Sequence, residues 1–312
     1  MAGWFQAIKR DYADLQRFEA EIDHLREWCV NSSGIAPQIS VHLLWLQAYP
    51  LHHRGKDSDV LRLIERALIA YDELGVKDVL FRGHLLNDLG ATQNLLKNFE
   101  AGAAAIHEAL KIRREVLGEE HVDTAMSLYN TAIGFVRDKD YHGAVTVLEK
   151  AYAVWNKTYS PDDVYALMAQ CALAEVYFQL KRTEALEFAE TTLRQAKNKF
   201  GEKHPLTAAA YHQLGHVLYA AGDKRSVECY STALALRREL LGEENFFTID
   251  SIKSTVGNLC AKGFHSKAEA FLKDYLAKLP EAHPDYKDLF NRKRTIYDGV
   301  VRPGFRTRPM RR

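Results

Sequence analysis

His212 and His216 stand four residues apart in a segment whose pattern predicts a helix, the spacing by which one helix face presents two imidazoles to a metal ion. Gln213, Leu214 and Gly215 lie between them, so the Glu of the protease pattern H-E-x-x-H is missing, and no third ligand is evident. No metal is expected there. His52 and His53 are adjacent rather than on one helical face, and are expected at the surface. Cys29, Cys171, Cys229 and Cys260 are scattered without a C-x-x-C pair or zinc-like spacing, which suits reduced, mostly buried thiols. The chain has no phosphate-cradling G-x-x-x-x-G-K-[ST], no G-x-G-x-x-G after a strand and no G-x-S-x-G nucleophile turn. Neither a cofactor nor a catalytic activity is expected.

Composition narrows the classes further. Among 312 residues, 42 Lys and Arg balance 41 Asp and Glu, a net charge of +1 that argues against nucleic-acid binding through an overall field. With 47% hydrophobic residues the chain can bury a large core, yet no apolar run approaches the roughly 18 residues of a membrane span. The opening MAGWFQAIKRDYADLQ carries charges every few residues, unlike a secretory signal. A cytoplasmic location is expected.

What could position interacting side chains is a repeat. Anchors fall at Ala67, Ala109, Ala151, Thr192, Ala233 and Tyr275, in steps of 41 or 42 residues. A second, mostly small series, Ala48, Gly90, Ala132, Ala174, Gly215 and Val256, keeps the same register. Each repeat reads as two amphipathic helices. In the third, Leu128, Ala132 and Phe135 share one helical face, KDY turns the chain, and Ala144, Leu148 and Ala151 form the matching face. Small residues are needed where the helices cross, because bulk there would push the axes beyond the usual spacing of about 8–10 Å.

The stretches LLNDLGATQNLLKNFEAGAAAIHEAL and AYHQLGHVLYAAGDKRSVECYSTAL resemble the tetratricopeptide repeat. The period near 42, with linkers ALKIRREVLGEEHVDTA and ALALRRELLGEENFFTI, is similar to the kinesin light chain type, and KFGEKHPLTAAA shows the His-Pro often seen in that family. The resemblance implies an all-α fold, a right-handed superhelical solenoid of about six helix hairpins with capping helices at both ends. The expected divisions are a helical cap or degenerate repeat over 1–38, six repeats over 39–282, a capping helix over 283–298 and a basic flexible tail over 299–312. Three departures carry expectations. Pro50 should kink or shorten the first helix of the first repeat. One missing residue in each of repeats four and five should shorten those corners. The bulk of Thr192, Tyr275 and Val256 should loosen packing or widen the local angle.

The ends differ from the array. Glu21, Ile22, Asp23, His24, Leu25 and Arg26 resemble the E-x-D-N-L-R stretch opening the helical arm of STAND-class signalling ATPases, with His24 in place of Asn. Residues 291–312 hold eight Lys or Arg against Asp298, +7, leaving the rest at −6. The tail arginines Arg302, Arg306, Arg308, Arg311 and Arg312 could meet an acidic partner, RNA or an anionic surface.

In tetratricopeptide arrays the first helix of each hairpin lines the concave side. Carried onto this chain, that resemblance places Trp45, Tyr49, His84, Asn87, Tyr129, Asn130, Arg137, Phe178, His212, His216 and Tyr219 in a groove. Of the 36 groove positions so inferred, five are charged against about ten expected from the 27% average, so the groove should be apolar, aromatic and histidine-rich. Such a surface favours a polypeptide segment anchored by hydrophobic side chains, with Asn87 and Asn130 hydrogen-bonding its backbone. The chain's own N-terminal helix or tail could instead cover part of it. The function expected is a protein-interaction scaffold or adaptor. The alternatives are a sensor or regulatory arm of a STAND-type system and RNA or acidic-partner binding through the tail. Peptide-pheromone receptors use similar arrays, but the 30 residues upstream leave little room for their N-terminal effector domain.

Overall fold

The computed structural model describes residues 20–25, 27, 37–283 and 285–301. Among them all regular structure is helical, and the chain divides into two compact units at residues 182 and 183. Helices of the first unit are α1 (Pro37–His53), α2 (Asp57–Glu73), α3 (Val79–Leu95), α4 (Phe99–Leu117), α5 (Val122–Arg137), α6 (Tyr141–Thr158) and α7 (Val164–Gln179). The second contains α8 (Ala185–Phe200), α9 (Pro205–Ala220), α10 (Arg225–Leu241), α11 (Phe246–Ala261), α12 (His265–Leu276) and α13 (Tyr286–Val301). Within each unit, successive helices pack on one another, and α1–α2, α3–α4, α5–α6, α9–α10 and α11–α12 form hairpins.

The hairpins close on the small residues. At Gly90 an added Cβ would stand 2.5 Å from Ile106 Cγ1 and 2.7 Å from the Gly102 carbonyl oxygen, so α3 and α4 touch backbone to backbone. Ala67, Ala109, Ala151 and Ala233 are wholly buried at the facing positions. Gly215 instead makes room for the Tyr230 ring. The α11–α12 pair approaches less closely than the other hairpins, as the bulk of Val256 and Tyr275 requires. The space is filled all the same: Tyr275 is wholly buried and its hydroxyl donates to the Glu243 carbonyl.

Polar side chains start the helices. Asp78, Asp140, Asp163 and Asn245 accept a backbone N–H from the first turns of α3, α6, α7 and α11. At α5 and α9 the imidazole Nδ1 of His121 and His204 does the same, and Pro205 occupies the first helical position after His204. The corners turn through left-handed residues. Glycine fills that role at Gly55, Gly222 and Gly263, whereas Lys97, Lys139 and Lys181 adopt positive φ at a steric cost.

Three expectations need correction. α1 runs through Pro50 to His53 rather than ending early, the proline removing a single backbone N–H three residues before the helix ends. The missing residue before α10 does not shorten the corner: residues 221–224 are outside the helices, against 138–140 between α5 and α6, so the helix gives up its start instead. The capping helix extends to Val301, past the expected boundary at 298. Residues 20–25 are helical, and Ile22 is buried against Leu43 and Leu46 of α1 beside Trp45 and Tyr49, so the segment resembling a STAND arm covers part of the first leading helix. Arg26 and Arg302, Arg306, Arg308, Arg311 and Arg312 lie outside the described residues, as does Cys29.

Gly90 and Gly134 separate these constraints. Gly90→Ala should destabilise the chain by about 1–3 kcal/mol through overpacking, whereas Gly134→Ala, where an added Cβ meets nothing within 4 Å, should stabilise by about 0.5–1 kcal/mol. Equilibrium urea denaturation of the two variants checks both signs.

Candidate functional site

Arg113, on α4, is buried beneath the leading helices of the first unit. A guanidinium only donates, and it is met by acceptors from two helices: Nη1 donates to the Asp123 carbonyl at 2.9 Å and to Ser127 Oγ at 2.7 Å, and Nη2 to His84 Nδ1 at 2.8 Å. Ser127 passes its own hydrogen to Asn87 Oδ1, which also receives Asn130 Nδ2, both at 3.1 Å. Asn87 Nδ2 donates to Asp88 Oδ1, and Trp45 Nε1 donates to Asp88 Oδ2 at 2.8 Å. One polar seam therefore ties α1, α3, α4 and α5 together. Burial pulls Arg113 down from its usual value, with the charges of Asp123 and Asp88 opposing the shift.

The second unit repeats the device three repeats later. Arg237 Nη1 donates to the Phe247 carbonyl at 2.8 Å and to Ser251 Oγ at 2.7 Å. His212 stands where Asn87 stands in the first unit, with Nδ1 at 3.2 Å from Ser251 Oγ and Nε2 at 2.9 Å from Asp250 Oδ2. His216 Nε2 lies 3.0 Å from His212 Nε2. Ser251, His212 and Asp250 have the composition of a hydrolytic triad, but Ser251 is 0% exposed, which denies a substrate carbonyl access to its oxygen. Among the described residues no group of three His, Cys, Asp or Glu side chains is arranged to hold a metal.

Between these seams the arginine position is held by Trp155. Its Nε1 donates to the Val122 carbonyl at 3.1 Å, and its ring meets Tyr129 at 5.9 Å and Tyr165 at 5.4 Å. Burial pushes the Tyr129 phenol up from its usual value. The signal for the seams was present in the near-identical linkers LKIRREVLGEE and LALRRELLGEE, each followed by a serine on the next leading helix.

The other groove candidates are placed as follows. Tyr49 and Trp45 are half-buried beside Ile22, and His84 stacks near Trp45 at 5.9 Å. Arg137 is held to Asp138 by two hydrogen bonds and lies over the Phe99 ring. Phe178 on α7 is half-buried, and Ile133 on α5 and Tyr219 on α9 are each 39% exposed. His52 is exposed near Asp57. Cys171 and Cys229 are buried thiols, and burial pushes Cys229 up to about 11.

A tetratricopeptide repeat family model matches residues 81–157 and 165–228. Those two stretches are tetratricopeptide repeats. Among solved structures, a Rap protein complexed with competence and sporulation factor is similar over 97% of this chain and 81% of its own, at TM-score 0.73 and 16% identity. BtubC (BKLC) from P. vanneervenii is similar over 74% of this chain and 94% of its own, at TM-score 0.53 and 20% identity. Repeats of a putative kinesin light chain from Podosopora anserina align over 73% of this chain and all of theirs, at TM-score 0.45 and 20% identity. No curated protein sequence matches the chain significantly.

In tetratricopeptide terms, each seam joins a following helix to the leading helices on either side of it, through a residue one turn past the small crossing position. No helix among the described residues is long and apolar enough to cross a membrane. Asn87→Leu should cost about 2–4 kcal/mol, because it strips the acceptor from two buried donors, Ser127 Oγ and Asn130 Nδ2. Chemical denaturation of that variant beside Ile133→Ala, on the exposed face, measures the difference.

Proposed function

We propose that the array is an interaction scaffold that holds a polypeptide segment of a partner protein on the leading helices of the first unit, chiefly α5 and α7. The observation carrying this reading is the division of labour on that face. Arg113 is bound inside the seam and Arg137 to Asp138, while Tyr129, Ile133 and Phe178 remain half-buried or exposed, with Glu175 of α7 beside Tyr129. A largely apolar surface of this kind suits anchoring by a few hydrophobic side chains. Asn130, whose amide nitrogen is spent on Asn87, would contribute its carbonyl side to a segment's backbone. The α1 end of the face is partly occupied by Ile22, which shifts the expected anchors away from Trp45 and Tyr49. The Rap protein similar to this chain carries competence and sporulation factor, which supports an array of this fold holding a signalling factor.

Panning a displayed random-peptide library against the full chain tests the site. Enriched peptides should carry apolar anchors, and Ile133→Lys or Tyr129→Ala with Phe178→Ala should weaken them at least about tenfold, in line with about 1–2 kcal/mol per anchor. Peptides bound equally well by Ile133→Lys and by the double variant would remove this face from consideration.

A further inference from the structure

The seam of the second unit contains two imidazoles whose nitrogens face each other. His212 Nε2 and His216 Nε2 are 3.0 Å apart, a contact that needs a hydrogen on one nitrogen and a lone pair on the other. The surroundings decide which is which. Asp250 Oδ2 only accepts, so a neutral His212 has its lone pair on Nδ1, where it takes the hydrogen of Ser251, whose oxygen accepts from Arg237. The hydrogen of His212 therefore sits on Nε2, shared between Asp250 Oδ2 at 2.9 Å and His216 Nε2. Every partner of His212 is satisfied only while its ring is neutral.

A proton gained by His212 enters at Nδ1, against the serine hydrogen. Among the described residues, Arg237 and the Tyr230 ring from α10 and Asp250, Ser251 and Ser254 from α11 face the pair, and Asp250, 3.7 Å from Arg237, is the carboxylate beside His212. Lys253 of α11 is held by Asp285 and Asp288, and Lys197 of α8 by Glu202 and Tyr211.

We propose that His212 is a proton-operated latch: uptake of a proton at its Nδ1 parts α9 from α11, a response that the amide of Asn87 at the equivalent place in the first unit cannot give. Burial lowers His212 to about 4; the Asp250 hydrogen bond opposes this and the Arg237 charge adds to it. Partial burial pushes the Asp250 carboxyl up, but its hydrogen bond to His212 and the charges of His212 and Arg237 outweigh that and hold it well below the usual carboxylate range. Because the folded value of His212 lies below the ordinary 6.5, the unfolded chain binds more protons between those two values. The seam's contribution is thus complete above about pH 6.5 and is lost as pH falls toward 4. His204, at the start of α9, is likewise lowered to about 4 by burial and acts over the same window, so it has to be separated.

The repeats themselves supply the variants. His212→Asn copies Asn87, which accepts from Ser127 in the same relay, and His204→Asn copies the Asn245 cap. The measurement is hydrogen exchange of the full chain at pH 7.5 and 5.0, corrected for intrinsic rates, together with histidine proton NMR titration. In the wild-type chain, protection of α9 and α11 should drop at least about tenfold more than that of α7, which holds no histidine and is capped by Asp163, equivalent to one unit of pKa difference. His212→Asn should abolish most of that excess and His204→Asn should leave most of it. An excess that survives His212→Asn, one that vanishes with His204→Asn alone, or a His212 resonance titrating near 6.5 would each overturn the latch. If His212→Asn does not fold, the wild-type titration of His212 decides the matter on the same criterion.

Discussion

Where Gly90 meets Gly102 and Ile106, the backbones of two helices come within reach of each other, and no side chain fits between them. Much else follows from that spacing. A helix pair so close can carry its core on short residues, as at Ala109 and Ala151, and the next hairpin finds a regular surface to pack on. Where the crossing residues grow, as at Val256 and Tyr275, the pair spreads and a phenol reaches a neighbouring carbonyl to fill the width.

Apolar packing of this kind is nearly blind to register, since one leucine replaces another. The buried arginines supply the direction that packing lacks. Arg113 and Arg237 each find a carbonyl and a serine hydroxyl on the following leading helix, and each serine then points to a groove-position side chain one helix back. A buried guanidinium without those acceptors would be strongly unfavourable, so slippage by a turn is resisted at both places. Trp155 does the same with one indole hydrogen and a group of aromatic rings.

The consequence for function is a change in what the leading face offers. Asparagine and histidine at groove positions suggest hydrogen-bonding to a ligand when read as a pattern. In the folded chain Asn87 and His212 are spent largely on the protein's own arginine–serine relays, while Tyr129 and Ile133 on α5 and Phe178 on α7 stay half-buried or exposed.

Helix pairing, period and crossing positions were legible because they depend on local spacing: a face recurs every three or four residues, and a repeat every 41 or 42 whatever lies between. Even the caps could have been read, since His121, His204 and Asn245 fall at one place in the linker. Of the two effects expected of Pro50, a kink or an early end, the early end does not occur, since one missing N–H leaves the other backbone bonds in place. By itself the sequence determined an all-α repeat with small-residue crossings. Only the tertiary structure decided which polar groups face each other, because Arg113 and His84, or Asn130 and Asn87, are 29 and 43 residues apart and are brought to hydrogen-bonding distance by packing that no local pattern encodes.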